Sequence, residues 1–133
     1  MHASQMIFMD TNKKLSAQRQ IDAAIEHLGF VGVECAITLA GAAEGLLPDT
    51  ENPHVFQWLK QRPEFKKVDV NATINWLKHP RSPDSKVIYV HEAALTVVRA
   101  MAKFVAVYEE VPSGWDEFIK KYFPGAPALK DKE

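Results

Sequence analysis

Apolar positions recur along most of this chain at helical spacing, and turn residues cut the pattern into segments of helix length. From Lys13 to Leu28, Ala17, Ile21, Ala24, Ile25 and Leu28 share one side while Gln18, Asp22 and Glu26 fall elsewhere, which predicts a first helix closed by Gly29. The run from Val33 to Leu47, VECAITLAGAAEGLL, is apolar or small on nearly every side. A helix of that kind is expected in the middle of a bundle, covered from both sides. Its short link to the first helix makes the two antiparallel neighbours. Gly41 and Gly45 within it predict close approach of a partner backbone, because an interior helix glycine costs about 1 kcal/mol against alanine.

Further along, Asn52 and Pro53 signal a short helix that Pro63 closes, and Asp69 can cap another helix from Val70 to His79, ended by Pro80. Val87 to Val90 reads as either a short extended piece or the start of the next helix. The longest helix is expected from His91 to Glu110 and carries two apolar stripes. Val90, Ala94, Val97, Met101, Phe104 and Tyr108 form one; Leu95, Val98, Ala102 and Val105 form the other. Glu92, Thr96, Arg99, Lys103 and Glu110 fill the remaining side. One stripe serves the chain's own core, and the second leaves apolar surface for a homodimer through this helix, unless a thick bundle buries both. Ser113 and Asp116 resemble a capping box at the start of a last helix, Trp115 to Phe123. The pattern as a whole predicts an all-α, up-and-down helical bundle of about five to six helices. It forms a single domain over residues 1–133, with 1–12 and 124–133 as loose termini.

Composition narrows the functional classes. Sixteen basic against seventeen acidic residues leave no whole-molecule field to gather nucleic acid or coat an anionic membrane. No window approaches the roughly 20 apolar residues of a membrane span, and MHASQMIFMD lacks the basic start and long apolar stretch of a secretory signal, so a cytoplasmic location is expected. The single cysteine, Cys35, excludes an internal disulfide and, lying in the apolar run, is expected to be buried. Glu51 and His54 alone show the Glu-x-x-His spacing of helical metal sites, but they straddle Pro53, and neither a metal nor a cofactor is expected. No nucleophile elbow, phosphate loop or paired-cysteine motif is present.

Candidate chemistry concentrates in VNATINWLKHP. On a helix, Asn71, Asn75 and His79 fall at i, i+4 and i+8, with Lys78 beside them and Val70, Ile74 and Leu77 on the apolar side. The dipole at a helix C-terminus favours a cation, so His79 suits a proton donor or an anion ligand; the plain structural alternative is a solvated face that complements the dipole. Lys60 to Lys86 holds seven basic residues against Glu64, Asp69 and Asp84, a local positive surface suited to phosphate. Glu44 repeats the register of Ile37 and Ala40 and therefore needs a partner, for which Arg99, Lys78 and His79 are the candidates.

AITLAGAAEGLL and NWLKH together resemble landmarks of the HEPN (higher eukaryotes and prokaryotes nucleotide-binding) superfamily, specifically its small bacterial helical proteins. The resemblance spans roughly residues 18 to 123. It implies an all-helical, often dimeric bundle whose active members cleave RNA with a histidine and an arginine a few residues before it. His79 matches the histidine and Asn75 the polar position that commonly follows the arginine, but position 74 is Ile, and neither Ala72 nor Thr73 replaces the missing guanidinium. Cleavage needs one group for charge on the phosphorane and another for proton transfer; without the arginine only the second remains, unless Lys78 or a partner subunit supplies the charge. The expectation is therefore a non-catalytic HEPN-like domain that dimerises and holds a nucleotide or RNA phosphate at Asn71, Asn75, Lys78 and His79. A toxin-type ribonuclease and a protein-interaction module are the alternatives.

Overall fold

The computed structural model describes residues 6–29, 32–49 and 69–126. The expected helix between Asn52 and Pro63, the Glu51 and His54 pair, and the cations Lys60, Arg62, Lys66 and Lys67 lie outside these residues. Within them the chain forms five α-helices and no strand: α1 Lys13–Leu28, α2 Val33–Gly45, α3 Val70–Lys78, α4 Val90–Tyr108 and α5 Trp115–Tyr122. No helix among the described residues is long and apolar enough to cross a membrane.

Helix α1 starts where Asn12 Oδ1 accepts the Leu15 amide at 2.8 Å, and it buries Ala17, Ile21, Ala24 and Leu28. Helix α2 packs beside it, but on one face only. Ala36, Ile37, Ala40 and Ala43 are buried, whereas Glu34, Cys35, Thr38, Ala42 and Gly45 are exposed. The expectation of a helix covered on both sides, with a buried thiol, is thus corrected. Alanine, glycine, cysteine and threonine carry little apolar area, so leaving that face in water costs far less than a pattern of apolar letters suggests.

The covered helix is α4. Every residue from Glu92 to Val98 is buried, as are Ala100, Met101, Ala102 and Phe104. These side chains carry larger hydrophobic groups, and α1, α2, α3 and α5 all pack on them. Most of both apolar stripes is therefore consumed within the chain, Leu95, Val98 and Ala102 included, with Val90 exposed at the start of the helix and Val105 only partly buried. Little apolar surface on this helix is left over for the dimer expected through His91 to Glu110. Glu92 and Thr96, expected on the polar side, are buried too, 6% and 0% exposed. Thr96 satisfies its hydroxyl by donating to the Glu92 carbonyl at 2.8 Å.

Helix α5 begins at Gly114, without a side-chain cap; Ser113 Oγ instead lies 3.4 Å from Asp22 Oδ1 on α1. Trp115, Phe118 and Phe123 close the bundle at this corner. Val87 to Tyr89 form no strand, and α4 starts at Val90, where Glu92 Oε2 accepts the Tyr89 amide at 3.1 Å.

The α2 glycines do not mark a backbone crossing. Among the described residues, a Cβ at Gly41 would meet only the Ile74 side chain, at 3.5 Å, and one at Gly45 would meet nothing within 4 Å. Gly41→Ala and Gly45→Ala are each expected to stabilise the fold by about 0.5–1 kcal/mol. Glu109, at the end of α4, is the reverse case. Its φ of 55° and ψ of 33° place a side chain in left-handed backbone, so Glu109→Gly is expected to gain about 1 kcal/mol. Urea midpoints read all three changes, and a midpoint falling in the alanine variants would contradict the spacing described at α2.

Candidate functional site

Helix α3 is short, and its two ends differ in character. Asp69 Oδ1 caps it by accepting the Ala72 amide at 3.0 Å. Val70 and Thr73 are buried, Ile74 and Leu77 lean on the core, and Asn71, Asn75 and Lys78 face water. The helix ends one residue earlier than expected. His79 is its C-cap, in extended backbone with φ −115° and ψ 115°, and its amide donates to the Asn75 carbonyl at 3.1 Å. The following Pro80 is the cause, since its ring clashes with a preceding residue held in α conformation. The turn beyond is fixed at two points. Ser82 donates its amide to the His79 carbonyl at 3.1 Å, and the Trp76 indole N–H donates to the Pro83 carbonyl at 2.6 Å.

At the N-terminal end, α3 is tied into the bundle. Arg99 Nη2 on α4 donates to Asn71 Oδ1 at 3.1 Å, while its Nε and Nη2 reach Glu44 Oε1 on α2 at 3.0 and 2.9 Å. Lys103 Nζ donates to the Glu44 carbonyl at 3.1 Å and lies 3.6 Å from Asp49. Of the three candidate partners of Glu44, Arg99 is the one the structure supplies. The resulting knot joins α2, α3 and α4 and uses Asn71 as structural material.

At the C-terminal end the picture reverses. Asn75, Lys78 and His79 are exposed, and their side chains make no hydrogen bond or ion pair to another described residue. Arg81 is exposed in the turn beside them. Of the four expected site residues, three thus stand together at one end of the helix, and Asn71 stands apart at the other. Eight residues of helix separate Asn71 from His79, about 12 Å. Arg99 is therefore too far from His79 to act with it on a single phosphate, and Glu44 already pairs it. The guanidinium missing at position 74 is not made good by this one.

A buried polar contact beneath the site was not anticipated. Thr73 Oγ1 donates to Glu92 Oε1 at 2.6 Å, and both residues are buried. The signal available was register: Thr73 follows Val70 by three residues and precedes Leu77 by four, so it belongs to the apolar seam. Elsewhere, a depression of about 290 Å³ is lined by His27, Glu34, Cys35, Thr38 and Leu39. No hydrogen bond joins His27 or Glu34 to the Cys35 thiol, so no activated nucleophile is assembled there. Among the described residues, no group of three or more His, Cys, Asp or Glu side chains could hold a metal ion.

Comparison with known protein families, with curated proteins and with solved structures finds no significant match to this chain.

Proposed function

We propose that the chain is a non-catalytic, HEPN-like helical domain that binds the phosphate of a nucleotide or RNA at the C-terminal end of α3. The observation that carries this reading is the division of the α3 polar face. The Asn71 end is locked by Arg99 and Glu44, whereas Asn75, Lys78 and His79 stand exposed on a helix end held rigid by the Trp76 to Pro83 bond. Rigid placement lowers the entropy lost when a ligand is held. Lys78 and Arg81 supply charge, and Asn75 and His79 supply hydrogen bonds; Lys78 in the last turn also offsets the negative end of the helix dipole. Cleavage does not belong to the proposal, because the arginine that the resemblance places a few residues before the histidine is absent, and Lys78 and Arg81 are assigned to holding the phosphate.

The test is equilibrium binding of a short single-stranded RNA, followed by product analysis. Lys78→Ala and His79→Ala are each expected to weaken binding about fivefold or more, with the RNA recovered intact. Binding by wild type that neither variant weakens would contradict the site. Cleavage lost in His79→Ala would establish the toxin-type ribonuclease instead. A protein-interaction module is the second reading, favoured by Val87, Tyr89 and Val90, which are 70%, 57% and 53% exposed just beyond the turn.

A further inference from the structure

Tyr89 carries an exposed aromatic ring on a backbone that is fixed at both of its polar groups. The residue is 57% exposed, yet its amide donates to Glu92 Oε2 at 3.1 Å and its carbonyl accepts the Glu92 amide at 3.0 Å. Its ring centre lies 5.7 Å from that of the His91 imidazole, with 23° between the two planes. A ring supported on one side and open to water elsewhere is a flat π surface available to a second ring.

The carboxylate that fixes Tyr89 also ties it to α3. Glu92 Oε1 accepts the Thr73 hydroxyl at 2.6 Å, and the segment before Tyr89 is held one turn further along α3, where the Trp76 indole donates to the Pro83 carbonyl. Thr73, Trp76 and His79 follow one another at three-residue spacing and so run along one edge of the helix. The first two anchor the segment from Pro83 to Tyr89, and the third is the exposed histidine of the candidate site. Six residues of helix separate Thr73 from His79, about 9 Å. Side chains as long as those of tyrosine, histidine and arginine can close much of that distance.

Charge along this stretch is one-sided. Lys78, Arg81 and Lys86 stand against Asp84 alone. A ligand that joins an anionic group to a planar ring matches both the charge and the open tyrosine.

We infer that Tyr89 stacks on the base of the nucleotide whose phosphate is held by Lys78, His79 and Arg81. The inference rests on the phosphate-binding reading and adds a requirement to it: the base must offer a free face. A paired base in a duplex is stacked on both faces by its neighbours, so this surface selects a mononucleotide or a single strand over a duplex. Stacking reads the π face rather than the base edge and is tolerant of sequence.

Adenosine monophosphate and ribose phosphate carry the same phosphate on the same sugar and differ in the base. Titration of each into wild type, Lys78→Ala, Tyr89→Leu and Tyr89→Phe therefore separates the two contacts. Wild type is expected to bind adenosine monophosphate about tenfold more tightly than ribose phosphate. Tyr89→Leu is expected to lose that advantage with ribose phosphate binding and helix content by circular dichroism unchanged, whereas Tyr89→Phe keeps it. Equal affinity of wild type for the two ligands, each weakened by Lys78→Ala, would overturn the inference and leave the phosphate reading standing. So would a Tyr89→Leu variant that retains the advantage or weakens both ligands alike. Failure of wild type to bind either ligand at millimolar concentration would overturn both readings.

Discussion

Replacing Phe104 with alanine is expected to destabilise the fold by about 3–5 kcal/mol, the largest single-residue effect in the chain. Phe104 is 2% exposed in the C-terminal half of α4, and its ring lies 4.9 Å from that of Tyr108 on the next turn. Truncation removes the transfer energy of the ring and leaves a cavity between helices that relax only in part. Against a total of about 5–15 kcal/mol for a domain of ordinary stability, that loss leaves a measurable unfolded fraction. Urea denaturation should show a large fall in midpoint with the slope unchanged. Val90→Ala, at a position 53% exposed on the same helix, serves as the control and is expected to cost well under 1 kcal/mol. Equal effects at the two positions would contradict α4 as the covered helix.

The second large effect is expected at Thr73. Thr73→Val keeps the volume and removes the hydroxyl that donates to Glu92 at 2.6 Å, leaving a buried carboxylate with one partner fewer. Hydrogen bonds to charged groups contribute about 1.5–3 kcal/mol, and a stranded buried acceptor adds its desolvation cost, so a loss of about 2–3 kcal/mol is expected. The double variant Thr73→Val/Glu92→Met removes both ends of the contact. Its cost is expected to fall short of the sum of the single changes by about 1–2 kcal/mol, although the Tyr89 amide still loses its acceptor. Strict additivity would show that the contact does not join α3 to α4 in solution.

These two residues mark where the sequence was legible and where it was not. Helix α1 is readable closely, because an apolar register runs from about Lys13 until Gly29 closes it; the Asn12 cap that fixes its first turn comes from the structure. Asp69 likewise announces α3, and Pro80 contains the reason His79 leaves it, although proline is easily read as a stop placed after the last helical residue rather than as a constraint on the residue before. The relative burial of α2 and α4 is a different kind of question. Letters such as Ala, Gly and Cys count as apolar in a pattern, but burial follows area, and α4 with Val97, Met101 and Phe104 has more to hide. The partner of Glu44 could be narrowed to three residues by charge alone. Choosing Arg99 required the packing of α2 on α4, a contact across 55 positions of chain. Asn71 was grouped with Asn75 and His79 by helical register, which is correct as geometry. What register does not reveal is that a neighbouring helix already holds one of the three.

The central claim is that ligand binding belongs to the free end of α3 and not to its locked end. The most direct measurement is a two-dimensional amide NMR titration with a nucleoside monophosphate and then with a short RNA. Progressive shifts at Asn75, Lys78, His79 and Arg81, with Asn71, Glu44 and Arg99 unmoved and the RNA uncut, are the predicted result. Shifts centred instead on the depression around Cys35, or no shifts at millimolar ligand, would contradict it.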